Sequence, residues 1–155
     1  MRPKSALFAA GLLLAFTLAL PVTASAKDIA TDWFGRAIAG YDTTSYFTSR
    51  KARKGQSDHT VKWQGATWRF ATKRGRDLFA ANPGKYAPQF GGHCSNGLAD
   101  GHLIKADAQI WMMIKGKLFM FYAERGRKRW QASSNVNGLI AQARANWKKL
   151  KPSAR

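Results

Sequence analysis

"QIWMMIKGKLFMFYA", residues 109–123, is apolar almost throughout and is divided by a single Lys115-Gly116 pair. Two runs rich in apolar and aromatic residues, separated by two residues of which the second is glycine, read as a β-hairpin. Side chains alternate across a strand, so Trp111 and Met113 share one face while Ile110, Met112 and Ile114 share the other. Core filling is the plainest role for methionines in such a setting.

Upstream, "HTVKWQGATWRFAT", residues 59–72, gives a second hairpin. Val61 and Trp63 precede a Gln64-Gly65 turn, and Trp68 and Phe70 follow it, which leaves one face to bury. Between and around the hairpins the signals are helical. Asp42 caps a short helix that carries Tyr46 and Phe47 inward, and Thr72 caps another that buries Leu78 and Phe79 before Asn82-Pro83 stops it. From about Glu124 the spacing of Trp130, Leu139, Ile140, Ala143 and Trp147 predicts the apolar face of one closing helix. Lys148 to Arg155 read as a frayed basic tail. The expected architecture is one α+β domain: a small antiparallel sheet from two β-hairpins, packed with several short helices and a C-terminal helix. Beyond the two hairpins no internal repeat is read, and the six tryptophans are expected in a dense aromatic core.

The first 26 residues read as a cleavable secretory leader: Arg2 and Lys4, an apolar run from Leu7 to Leu20, and Ala24-Ser25-Ala26 as the cleavage site. The apolar run is shorter than the roughly 20 residues that span a bilayer, so cleavage after Ala26 leaves no transmembrane segment and a periplasmic or secreted chain. Residues 27–155 then form the single domain, its core about residues 33–148. The whole chain carries a formal charge of +18, and loss of Arg2 and Lys4 with the leader leaves +16. That excess points to an anionic envelope component or an acidic protein as partner, with a merely solvated surface as the plainer alternative. Nucleic acid is not expected, because the positive charge is spread along the chain and no DNA- or RNA-binding motif occurs. Candidate anion-binding residues are Arg50, Lys51, Arg53 and Lys54 in one loop, and Arg125, Arg127, Lys128 and Arg129 in the later basic stretch.

"GGHCSNGLADGH", residues 91–102, holds the only cysteine. It cannot form an internal disulfide, so its thiol is buried, bound to something, or paired with another chain. Gly91 and Gly92 permit a sharp turn at positive φ. If a helix follows, Cys94 stands at its N-terminus amid positive charge, the setting of a reactive thiol. Cys94, His93, His102, Met112 and Met113 together offer the soft sulfur and imidazole donors that suit a copper ion. Adjacent residues diverge, however, so His93 and Cys94 would not both ligate one ion. Catalytic sets are missing: the carboxylates are scattered, and neither a Gly-rich phosphate loop nor a Gly-x-Ser-x-Gly elbow occurs, so the chain reads as non-enzymatic.

The order "VKWQGATWRFAT", "LFAANPGKYAPQFGGHC", "IWMMIKGKLFMFY" resembles the YHS domain family, in particular its exported stand-alone members, over roughly residues 33–148. The resemblance implies a role in metal handling. In metal-linked members three cysteines stand at positions that fall here on Ser45, Ala71 and Gly75, so those thiols are absent and any metal would need other ligands. Three readings stay open: an accessory protein that binds or transfers copper through Cys94, a basic module for an anionic surface or acidic partner, and a redox-active or intermolecularly paired thiol. The oligomeric state is not legible.

Overall fold

The computed structural model describes residues 28–154, so the leader read at residues 1–26 lies outside the described residues. Both hairpins form where the Xaa-Gly pairs stand. Strands β1 (Gln56–Trp63) and β2 (Ala66–Phe70) turn at Gln64-Gly65, and β3 (Asp107–Ile114) and β4 (Lys117–Phe121) turn at Lys115-Gly116. All four turn residues have φ between +47° and +72°, as a two-residue type I′ turn requires. The α+β class holds, but the hairpins do not merge: each is its own two-stranded antiparallel sheet. Among the described residues six α-helices surround them: α1 (Thr43–Thr48), α2 (Lys73–Ala81), α3 (Pro83–Tyr86), α4 (Ser95–Ala99), α5 (Glu124–Ala132) and α6 (Val136–Leu150). No helix among the described residues is long and apolar enough to cross a membrane.

The alternation read from the sequence decides where the cores lie. In the first hairpin Trp68 and Phe70 are buried while Lys62 is exposed, so one face meets solvent. The second hairpin has no such face. Trp111, Met113, Leu118 and Met120 pack into one core with Trp68, Phe70, Phe79 and Tyr46. Ile110, Met112, Phe119 and Phe121 pack into the other with Trp130, Leu98 and Ile140. The β3–β4 hairpin is thus the partition between two cores, and Tyr46 locks onto it from α1 by donating its hydroxyl to the Ala108 carbonyl at 2.6 Å.

The structure also contains a repeat that the sequence reading missed. β1, β2 and α2 recur as β3, β4 and α5, each starting and ending 51 residues later. The register break between Gln56 and Thr60 recurs between Asp107 and Trp111. Ahead of each hairpin runs the same left-handed triplet, Ile38-Ala39-Gly40 and Phe90-Gly91-Gly92, all at positive φ. Ring packing repeats too: Phe70 to Phe79 at 5.1 Å matches Phe121 to Trp130 at 5.4 Å. The second triplet needs glycine at its centre, because a Cβ on Gly91 would run into the Asp28 carbonyl.

Three expectations are corrected. The closing helix is two helices, because Ser133 to Asn135 interrupt it and the Asn135 side chain caps α6 by accepting from the Gly138 N–H at 3.0 Å. The tail is not frayed through residue 154: α6 runs to Leu150, and the Ser153 N–H and Lys151 Nζ bond the Asp28 carboxylate at 2.9 and 3.3 Å. Burial of Asp28 works against its charge, but the bonds from Ser153 and Lys151 prevail and hold the carboxyl below its ordinary value. Finally, Trp33 is outside the aromatic core, on the surface.

Because Phe119 fills one face of the partition, Phe119→Ala is expected to lower stability by about 3–5 kcal/mol. Urea unfolding of the variant measures this; a loss below about 1 kcal/mol would show that the hairpin's second face is not a true core.

Candidate functional site

The repeat places Cys94 in a defined structural role. Asp42 is the N-cap of α1, and its Oδ1 accepts from the Thr44 and Ser45 N–H groups at 2.8 and 3.3 Å. Its Oδ2 accepts from the Ala71 N–H at 2.9 Å, just beyond β2. Cys94, 52 residues on, is the N-cap of α4. Its Sγ accepts from the Gly97 N–H at 3.3 Å and from the Tyr122 N–H at 3.2 Å, just beyond β4. Each acceptor therefore fastens a helix start to the corner between a hairpin and its following helix. The backbone agrees: the Asp42 N–H donates to Arg53 and the Cys94 N–H to Ile104, at 2.8 and 2.7 Å.

Two clefts follow the same repeat. The first, about 300 Å³, is lined by Asp42, Ser45, Arg53, Ala71, Arg74 and Gly75. It contains all three positions at which the family resemblance places thiols. The second, about 140 Å³, is lined by Cys94, Gly97, His102, Tyr122, Arg125 and Gly126. The glycines on α2 and α5 let the helices come close, since a Cβ there would meet the Thr44 Oγ1 at 2.7 Å or the Asn96 Cβ at 3.0 Å.

The five residues read as soft-metal donors are not brought together. Cys94 is only 4% exposed and lies among Phe90, Leu98 and Phe121, and the exposed His102 shares its cleft. His93, 5% exposed, lines a different cleft with Ile29, Leu103 and Pro152. Its Nδ1 meets the Phe90 carbonyl at 2.9 Å, and its ring packs on Trp147 at 5.3 Å. Burial, its strongest influence, holds the His93 imidazole below its ordinary value and favours the neutral ring. Met112 and Met113 face opposite cores, as their alternation requires. Among the described residues no three His, Cys, Asp or Glu side chains form a metal-sized group. As a set, the five donors do not fit one ion; Cys94 with His102 is the pair that shares a space.

The basic candidates divide. Arg50, Lys51, Arg53 and Lys54 are exposed on the loop after α1, and Lys54 Nζ sits 4.1 Å from the centre of the Tyr41 ring. Arg125 lines the Cys94 cleft and Lys128 is exposed. Arg127 and Arg129 are engaged, each 2.8 Å from a carboxylate, of Glu124 and Asp100 respectively. The acidic side is largely engaged internally: seven of the eight carboxylates accept hydrogen bonds or pair with a cation, from the buried Asp42 to Asp107, which accepts from the Gln109 N–H at 2.8 Å, while the exposed Asp58 has only the His59 ring, 4.0 Å away. Among the described residues, only Arg36, Lys73, Arg76, Arg127, Arg129 and Lys151 of the lysines and arginines pair with a carboxylate.

Comparisons of this chain with protein families, with curated proteins and with solved structures gave no match.

The capping role of Cys94 predicts a specific order of stabilities. Cys94→Ser keeps an acceptor at the cap and is expected to cost less than Cys94→Ala, which leaves two N–H groups without a partner and costs about 1–2 kcal/mol. Equal stability of the two variants in urea unfolding would remove that role.

Proposed function

We propose that this chain is an exported, non-enzymatic binding module of the YHS type that attaches through its cationic surface to an anionic envelope component or an acidic protein. One observation carries the reading: the few carboxylates are mostly engaged within the fold, while among the described residues most lysines and arginines have no carboxylate partner. The eight carboxylates are too few to offset the field of those cations, and a field of that sign draws polyanions from about one Debye length, roughly 8–10 Å. The YHS assignment is supported by the convergence of Ser45, Ala71 and Gly75 on one cleft, since residues that jointly held a metal in relatives would have to meet.

A second reading has a narrower basis. Cys94 and His102 open on the same cleft, and a thiol with an imidazole is a donor pair that copper accepts. Cys94 and His102 would be the residues to hold the ion. The redox-active or intermolecularly paired thiol is the weakest of the three, because Cys94 is enclosed by aromatic and aliphatic side chains.

For the first reading, affinity for a soluble polyanion such as polyphosphate is expected to fall at least tenfold between about 0.05 and 0.3 M salt. Replacing Arg50, Lys51, Arg53 and Lys54 together by Gln should weaken binding further, and salt-independent binding or none would overturn the reading. For the second, copper(I) titration of the native protein and of Cys94→Ser should show tight binding by the first alone; identical titrations would exclude Cys94 as a ligand.

A further inference from the structure

The most exposed aromatic residues of the fold are neighbours. Trp33 and Phe34 are 98% and 78% exposed at the tip of the turn from Thr31 to Ala37. Burying two such rings stabilises a fold by several kcal/mol, so their display on a surface this polar calls for a physical reason. The turn that carries them is not loose. Asp32 Oδ1 accepts from the Phe34 and Arg36 N–H groups, both at 3.0 Å, and Asp32 Oδ2 pairs with Arg36 Nε at 2.6 Å. The turn is sewn to β2 through Thr67, whose N–H donates to the Gly35 carbonyl at 3.0 Å and whose carbonyl accepts from Ala37 at 2.9 Å. Its rings are presented at little further cost in conformational entropy.

Basic residues flank the turn. The Arg36 guanidinium stands 4.9 Å from the centre of the Phe34 ring, and Lys105 Nζ bonds the Thr31 carbonyl at 2.6 Å. Lys62 is the register partner of Thr67, on the solvent face of the first hairpin. The one carboxylate of the turn, Asp32, is neutralised by Arg36.

We infer that Trp33 and Phe34 form an interfacial anchor that inserts into an anionic phospholipid bilayer while the flanking cations meet its headgroups. This rests on the anionic-surface reading and narrows that surface to lipid. Tryptophan suits the headgroup level, where an apolar ring and a polar N–H are both satisfied. Two rings are far too small a patch for a stable protein interface of about 800 Å² per partner, but with electrostatic attraction they suffice for peripheral membrane binding. A second copy of the chain is disfavoured by mutual repulsion of its large positive charge.

The test compares the exported chain with a Trp33→Ala/Phe34→Ala variant on phosphatidylglycerol-containing vesicles, on pure phosphatidylcholine vesicles and on polyphosphate. The variant should bind the anionic vesicles about 10- to 100-fold more weakly while binding polyphosphate like the native chain. Acyl-chain-brominated lipids should quench native fluorescence, and Trp33→Phe should lose most of that quenching. Equal vesicle binding by both proteins overturns the anchor and leaves the electrostatic reading standing. Native binding to polyphosphate without binding to vesicles does the same, and no salt-sensitive binding to either probe sinks both. Self-association of the native chain that the double variant abolishes would assign the rings to a dimer and overturn the anchor.

Discussion

A hairpin with no solvent face is the constraint around which this molecule is arranged. β3 and β4 carry apolar side chains on both sides, so each side must be covered by something else. The first hairpin and its helices cover one, and α4, α5 and α6 cover the other. A two-stranded sheet is marginal alone; placed between two cores it is supported on both faces. The asymmetry of the two halves follows from it: the first hairpin has Lys62, Thr67 and Arg69 on its outer side, while the second carries hydrocarbon and sulfur at the corresponding positions.

The twofold repeat changes what the lone cysteine means. A residue at the cap of α4 must accept two backbone N–H groups, one from its own helix and one from the far end of a hairpin. Asp42 does this with a carboxylate in the first half, and sulfur does it in the second with longer bonds. A thiol tolerates the apolar surroundings of that cap, where a carboxylate would lose most of its hydration. Structure alone thus gives a sufficient reason for sulfur at this position.

The hairpins, their turns, the caps at Asp42 and Thr72 and the opposed faces of Met112 and Met113 were legible, because each depends on residues close in sequence. The repeat was legible in principle. Arg74-Gly75-Arg76 and Arg125-Gly126-Arg127 lie 51 apart, and Gly40-Tyr41-Asp42 and Gly92-His93-Cys94 lie 52 apart. It was hidden because the two halves differ in what they bury: Trp68 matches Phe119, Phe79 matches Trp130, and a carboxylate matches a thiol. The break between α5 and α6 escaped because the apolar spacing runs on across Ser133 to Asn135 and masks the cap. That His93 and Cys94 enter different clefts did follow from their adjacency. The exposure of Trp33 did not, since composition assigns tryptophan to the interior and only the turn around Asp32 places it outside.

The bond from Ser153 to Asp28 joins positions 125 residues apart, near the two limits of the fold. Synthesis proceeds from the N-terminus, so this clasp is among the last to close. Until the C-terminal helix emerges, the inner hairpin lacks one of its coverings. The same proximity of the ends makes the topology nearly circular, and a short peptide joining them would let the chain be opened at a surface loop with its cores intact.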